Sequence, residues 1–131
     1  MSTRMYDVQT KMYEVLNSNE QLKSMVTGVY DYVPESTVVP YVTFGHMLSS
    51  ADGSKTDSGE KITVTLDVWS EGKGRRQTVM IMQVIEEILE DNIQLNNSFL
   101  ISQKITNREV WEESYGLYHG TVETEFQIEW E

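Results

Sequence analysis

From Thr121 to Trp130 the chain alternates without a slip. Val122, Thr124, Phe126, Ile128 and Trp130 oppose Glu123, Glu125, Gln127 and Glu129. Successive side chains of an extended chain point to opposite faces, so this pattern predicts a strand with one face on a core and one face wet. The same signature runs from Lys61 to Trp69, where Ile62, Val64, Leu66 and Val68 oppose Thr63, Thr65 and Asp67. Trp69 falls on the polar side and needs cover from another element or a partner. Strands with one apolar face require a second layer to bury it.

Helical patterns supply that layer. Met5, Val8, Met12, Val15 and Leu16 form one stripe, broken by Asn17-Ser18-Asn19. Ser18 and Gln21 have capping-box spacing, which predicts a short helix through Leu22, Met25 and Val26, ended by Gly28. A longer helix is expected from about Arg75 to Asp91, with Ile81, Val84, Ile85, Ile88 and Leu89 inward. Further strands are expected at Val29–Val33, Val39–Phe44 and Phe99–Ile105, with Gly116 near a hairpin turn. Residues 49–60 are almost empty of apolar side chains and predict a long, exposed, flexible loop. The order implies a single α+β domain over 1–131. Its sheet is antiparallel or mixed, of four to five strands, with an N-terminal helix and one longer helix packed on it. The strand–helix–strand step at 61–107 is long enough for a parallel crossover.

Charge and composition exclude several functions. Against 10 Lys+Arg stand 21 Asp+Glu, a net charge of −11. Duplex-DNA readers need clustered cations to neutralise phosphates. Cysteine is absent, which removes disulfides, thiolate nucleophiles and cysteine zinc sites. His46 and His119 have no metal-ligand spacing and read as surface or packed side chains. There is no GxSxG elbow and no Walker motif, and Gln77 stands where Gly72-Lys73-Gly74 would need its third glycine. Asp52, Ser54, Thr56 and Asp57 loosely resemble a calcium loop, but the required glycine and terminal glutamate are out of register. No apolar run reaches the roughly 18–20 residues that span a bilayer. The expectation is a soluble protein, neither an enzyme nor a cofactor carrier, synthesised in a cytoplasm.

Two features remain. Lys73, Arg75 and Arg76 open the long helix, where the macrodipole disfavours positive charge. A solvated turn explains them; so would carboxylates on a neighbouring molecule, for which the Glu123, Glu125 and Glu129 face is the candidate. Trp69, Trp111, Trp130 and several tyrosines lie near edges and turns, where aromatics either complete a core or anchor interfaces.

Several segments in order carry a family likeness. They are Leu22-x-x-Met25-Val26-x-Gly28-Val29-Tyr30 before Pro34, Val39-Pro40-Tyr41-Val42 with Phe44-Gly45, and Leu66-Asp67-Val68-Trp69-Ser70. Gly74-Arg75 then opens an apolar helix, and Tyr118-His119-Gly120 leads into the last strand. In these the chain resembles the tail completion or tail terminator proteins of long-tailed double-stranded DNA bacteriophages, which join tail to head. The resemblance implies a virion protein, a homo-hexamer ring at the head-proximal end of the tail, with no catalytic residues. It implies as partners the major tail tube protein and the head completion or connector protein, with genome DNA passing through the lumen without specific binding and no membrane involved. Within that reading, Ser49, Ser50, Asp52, Lys55, Asp57 and Glu60 are candidates for docking tube or connector. The competing expectation is an acidic DNA mimic that inhibits a nucleic-acid-binding enzyme, and a small-ligand module has only the aromatics behind it.

Overall fold

A computed structural model of the chain describes residues 2–52 and 55–131, with side chains at all of these except 52 and 55–57. Helix α1 (Met5–Asn17) buries Val8, Met12 and Leu16, the centre of the expected stripe. Helix α2 (Glu20–Met25) is capped by Asn19, whose side chain accepts from the Leu22 N–H at 2.9 Å. The expected Ser18–Gln21 box does not form, because Ser18 is already the helical C-cap of α1. Helix α3 (Arg76–Ile88) turns Ile81, Met82, Val84 and Ile85 into the core.

The strands are β1 (Val29–Tyr30), β2 (Tyr41–Asp52), β3 (Lys55–Glu71), β4 (Phe99–Ser114) and β5 (Leu117–Glu129). They form one sheet in the order β1-β2-β3-β5-β4. The sheet is mixed, as expected, but its parallel pair is β1 with β2, not the two strands that flank α3. Strand β5 inserts between β3 and β4 and pairs antiparallel with both. That placement follows from the patterning. The tight turn at Gly116, φ 76°, folds β4 directly onto β5, and the most regularly alternating strand takes an interior position. Strand β1 is shorter than expected. Past Tyr30 the chain offers no apolar face, Tyr32 is 82% exposed, and a turn at Pro34–Thr37 with Ser36 at φ 71° leads it away.

The helices cover one face of the sheet. Val42, Ile62, Val64, Leu66, Val68, Val122, Phe126 and Ile128 meet α1 and α3 there and are buried. The other face is open.

The segment expected as a loop is instead strand over its described residues. Ser49, Ser50 and Ala51 pair with Ile62, Lys61 and Glu60, and Asp52 with Lys55; residues 53 and 54 lie outside the described residues. Strand β3 meets β5 only from Gly59 onward, so this end of the β2–β3 hairpin has no core to cover and carries no apolar alternation. Its polarity marks a wet strand as well as it would a loop. Trp130, expected near an exposed edge, is buried, with the Arg4 guanidinium 4.1 Å from its ring centroid.

Candidate assembly surfaces

The basic cluster sits in the β3–α3 turn. Lys73, Arg75 and Arg76 are exposed, and the first turn of α3 holds no acid. Arg75 is the N-cap and makes no side-chain cap bond; its guanidinium lies 5.7 Å from the Tyr118 ring centroid. Among the described residues none of the three is ion-paired. Arg76 and Lys73 also border a cleft with Met25 and Met80. The turn is held rigidly, because the Gly72 N–H donates to the Gly116 carbonyl at 3.0 Å and ties it to the β4–β5 turn.

Glu123, Glu125 and Glu129 all lie half-exposed on the open face of β5. Each is engaged. Glu123 accepts from Thr106 Oγ1 at 2.7 Å, Lys104 Nζ is 3.7 Å from Glu125, and Glu129 also has a partner. The fold does not bring these acids to the basic turn. Leu117 pairs with Glu71 beside that turn, and Glu123 is six residues further along β5, about 20 Å away.

At the turn end of the same face is a cluster that sequence reasoning did not assemble. His119 stacks on Trp69, centroids 3.9 Å apart, and meets Trp111 from the other side at 4.4 Å. Its Nε2 is 2.7 Å from Asp67 Oδ1 and its Nδ1 3.0 Å from Glu113 Oε1. Trp111 Nε1 donates to the same Glu113 oxygen at 3.0 Å. These bonds hold the Glu113 carboxyl below the usual carboxylate range, the one from His119 most strongly. Trp69 thus has the cover its polar-side position required. The hairpin alone does not signal it: counting back from Gly116 sets Glu112 opposite His119, and the register shift between Glu112 and Ser114 brings Trp111 there, while His119 opposite Trp69 follows once β5 is placed beside β3.

Of the proposed docking residues, Ser49 and Ser50 are exposed, whereas Glu60 is 5% exposed. Glu60 accepts from Thr3, from Ser49 and from the Arg4 N–H at 2.8 Å, tying the N-terminal segment to the sheet. It is a buried structural carboxylate and not an exposed docking group. Asp52, Lys55 and Asp57 have no described side chains. A further exposed patch was missed: Tyr6, Tyr13 and Tyr32 line a groove beside β1, with Tyr6 81% exposed. Tyr6 and Tyr13 share a face of α1 at i, i+7, which was the available signal, whereas Tyr32 lies beyond β1 in no periodic pattern.

Among the described residues no three His, Asp or Glu side chains are grouped to hold a metal ion. No described helix is long and apolar enough to cross a membrane.

The family model described as tail completion protein gp17 matches residues 10–129. A chain of the solved virion of a native gene transfer agent particle superposes with a TM-score of 0.87, at 19% identity, over 98% of this chain and 99% of that one. The structure of bacteriophage SPP1 gp17 protein matches with a TM-score of 0.64, at 22% identity, over 96% of this chain and 95% of that one. No curated protein matches the chain.

Proposed function

Because the chain belongs to the tail completion protein gp17 family, whose members are structural components of the virion and not enzymes, we propose that it is the repeating subunit of a ring that ends the tail tube and joins it to the head. The observation that carries this reading is the separation of its two charged surfaces. Lys73, Arg75 and Arg76 lie at one end of the sheet and, although Glu71 lines the same cleft, none of them is ion-paired among the described residues; the Glu123, Glu125 and Glu129 face lies about 20 Å or more away. Surfaces that complement each other but cannot meet within one subunit suit a head-to-tail contact between copies, and such contacts close into rings.

In this reading the partners are further copies of the chain, the major tail tube protein and the head completion or connector protein. The β2–β3 hairpin end is the element that docks tube or connector. An acidic lumen, in keeping with the net charge of −11, repels DNA phosphates, so the genome passes without sticking. The DNA-mimic alternative has only the net charge of −11 behind it.

Solution mass by light scattering over a wide concentration range, with imaging of any particle found, tests the proposal. A hexamer mass with six-fold rings is expected, alone or on isolated tails. Deleting the gene should leave full heads beside unattached, over-long tails; normal virions from the deletion would overturn the reading.

A further inference from the structure

The sheet has two outer edges, and both are interrupted by bulges. On β4 the register shifts between Leu100 and Ser102, between Ile105 and Asn107, and between Glu112 and Ser114. On β2 it shifts between Phe44 and Met47 and between Ala51 and Asp52. Bulges twist an edge away from pairing. Between them β2 keeps the regular runs Tyr41–Phe44 and Met47–Ala51, and β4 the runs Ser102–Ile105 and Asn107–Glu112.

The runs Met47–Ala51 and Ser102–Ile105 stand at the same level of the sheet. Following the pairing across, Met47 leads through Val64 and Thr124 to Ile105, and Leu48 through Thr63 and Glu125 to Lys104. Ser49 leads in the same way to Gln103, and Ser50 to Ser102. Strand β1 covers β2 only at Val42 and Thr43, so among the described residues the outer ladder of β2 at 47–51 has no sheet partner. The outer ladder of β4 has none either. Three antiparallel pairings separate the two edges, so β4 runs opposite to β2. Large apolar side chains are exposed beside both runs: Leu48 at 66%, Phe99 at 58% and Ile101 at 52%.

We infer that copies of this chain join edge to edge, the Ser102–Ile105 run of β4 pairing antiparallel with the Met47–Ala51 run of a neighbour's β2. The occupant is a second copy because the run of β2 that β1 leaves uncovered and the Ser102–Ile105 run of β4 stand at the same level, point in opposite directions as antiparallel pairing needs, and carry no like charges. A subunit turned about a ring axis presents one edge to the other without changing which way its strands point. The inference rests on the ring reading above and deepens it: the sheets of successive copies then join into one continuous sheet, and strand β1 with the bulges of β2 limits the pairing to the Met47–Ala51 window.

The chain has no cysteine, so engineered pairs report the contact cleanly. Ser50 and Ser102 share a row and the open face, and directly opposed residues of antiparallel strands are close enough for a disulfide. Ser50→Cys is combined with Ser102→Cys in one variant and with Lys104→Cys in a second, offset by two residues. Each is oxidised free in solution and in virions that carry it, and imaged before denaturation. Loss of most monomer into a ladder of covalent multimers in one register is expected, with none from the single variants. Rings that form normally but cross-link in neither register would overturn edge pairing and leave the ring intact. A chain monomeric in solution and on tails would overturn both.

Discussion

The His119 imidazole lies nearly flat on the Trp69 indole, centroids 3.9 Å apart and planes 23° from parallel, with Trp111 against its other side. These rings come from neighbouring strands, in the cross-strand row Trp69–His119–Trp111. The stack therefore clamps β3, β5 and β4 together at the turn end, on a face that has no helix over it. Aromatic pairs of this kind contribute about 0.5–1.5 kcal/mol beyond their area. A double-mutant cycle of Trp69→Ala and His119→Ala should show a coupling of that size by chemical denaturation. Strict additivity would mean the rings touch without stabilising each other.

Glu113 gives the same clamp a pH dependence. Hydrogen bonds from His119 and then Trp111 depress its carboxyl, so the charged form is favoured on folding. A depressed carboxyl contributes stability that is present above its unfolded value, about 4.3, and is lost as pH falls through the folded one. Wild type should exceed Glu113→Gln in melting midpoint at neutral pH, and the gap should close as pH drops below about 4.3. A gap that persists unchanged to the acid limit would contradict this.

Gly120 marks where α3 presses on β5. A Cβ there would stand 2.6 Å from Met82 Sδ and 2.8 Å from Thr78 Cγ2. The thioether can swing aside, but Thr78 is buried and its hydroxyl is held 2.5 Å from Ser70 Oγ. Gly120→Ala should therefore destabilise by about 1–3 kcal/mol, as overpacking does. Gly74→Ala, with nothing within 4 Å of the new carbon, is the control and should stay within about 0.5 kcal/mol.

The elements that bury one face were legible in the sequence because burial writes a period into it. Strand β5, the centre of β3, and helices α1 and α3 all announce themselves through Phe126, Leu66, Met12 and Ile85. The Ser49–Ala51 end of β2 did not, since residues exposed on both faces leave no alternation to read. Neither did the order of the strands. Periodicity says that β5 is half-buried; it does not say that β5 separates β3 from β4. The His119 cluster and the matching edge runs both depend on that order, so they became visible only with it.

Glu60 illustrates the same point at one residue. In sequence it ends a polar run; in the fold its carboxylate collects the hydroxyls of Thr3 and Ser49 and the Arg4 N–H. Glu60→Ala strands those donors and should cost about 1–3 kcal/mol. Amide exchange at Arg4 and Met5 should quicken along with the loss. Unchanged stability would show the N-terminal segment to be held by other contacts.

Arg75 and Arg76 face the opposite circumstance. They stand exposed at the start of α3, where the helix dipole opposes positive charge by about 0.3–1 kcal/mol, and the first turn of the helix holds no acid to offset it. Replacing both with glutamate should leave the isolated subunit folded and slightly more stable, because the dipole then favours the new charges. If the pair meets the carboxylates of an adjoining copy, the same change should weaken self-association, most strongly at low salt, since exposed charges act over only about 10 Å at 0.1 M. Thermal melts and light scattering on one sample separate the two effects. A higher melting midpoint with a lower assembled mass is the expected outcome. Rings that form as readily as before, at low salt and high, would remove these residues from the subunit contact.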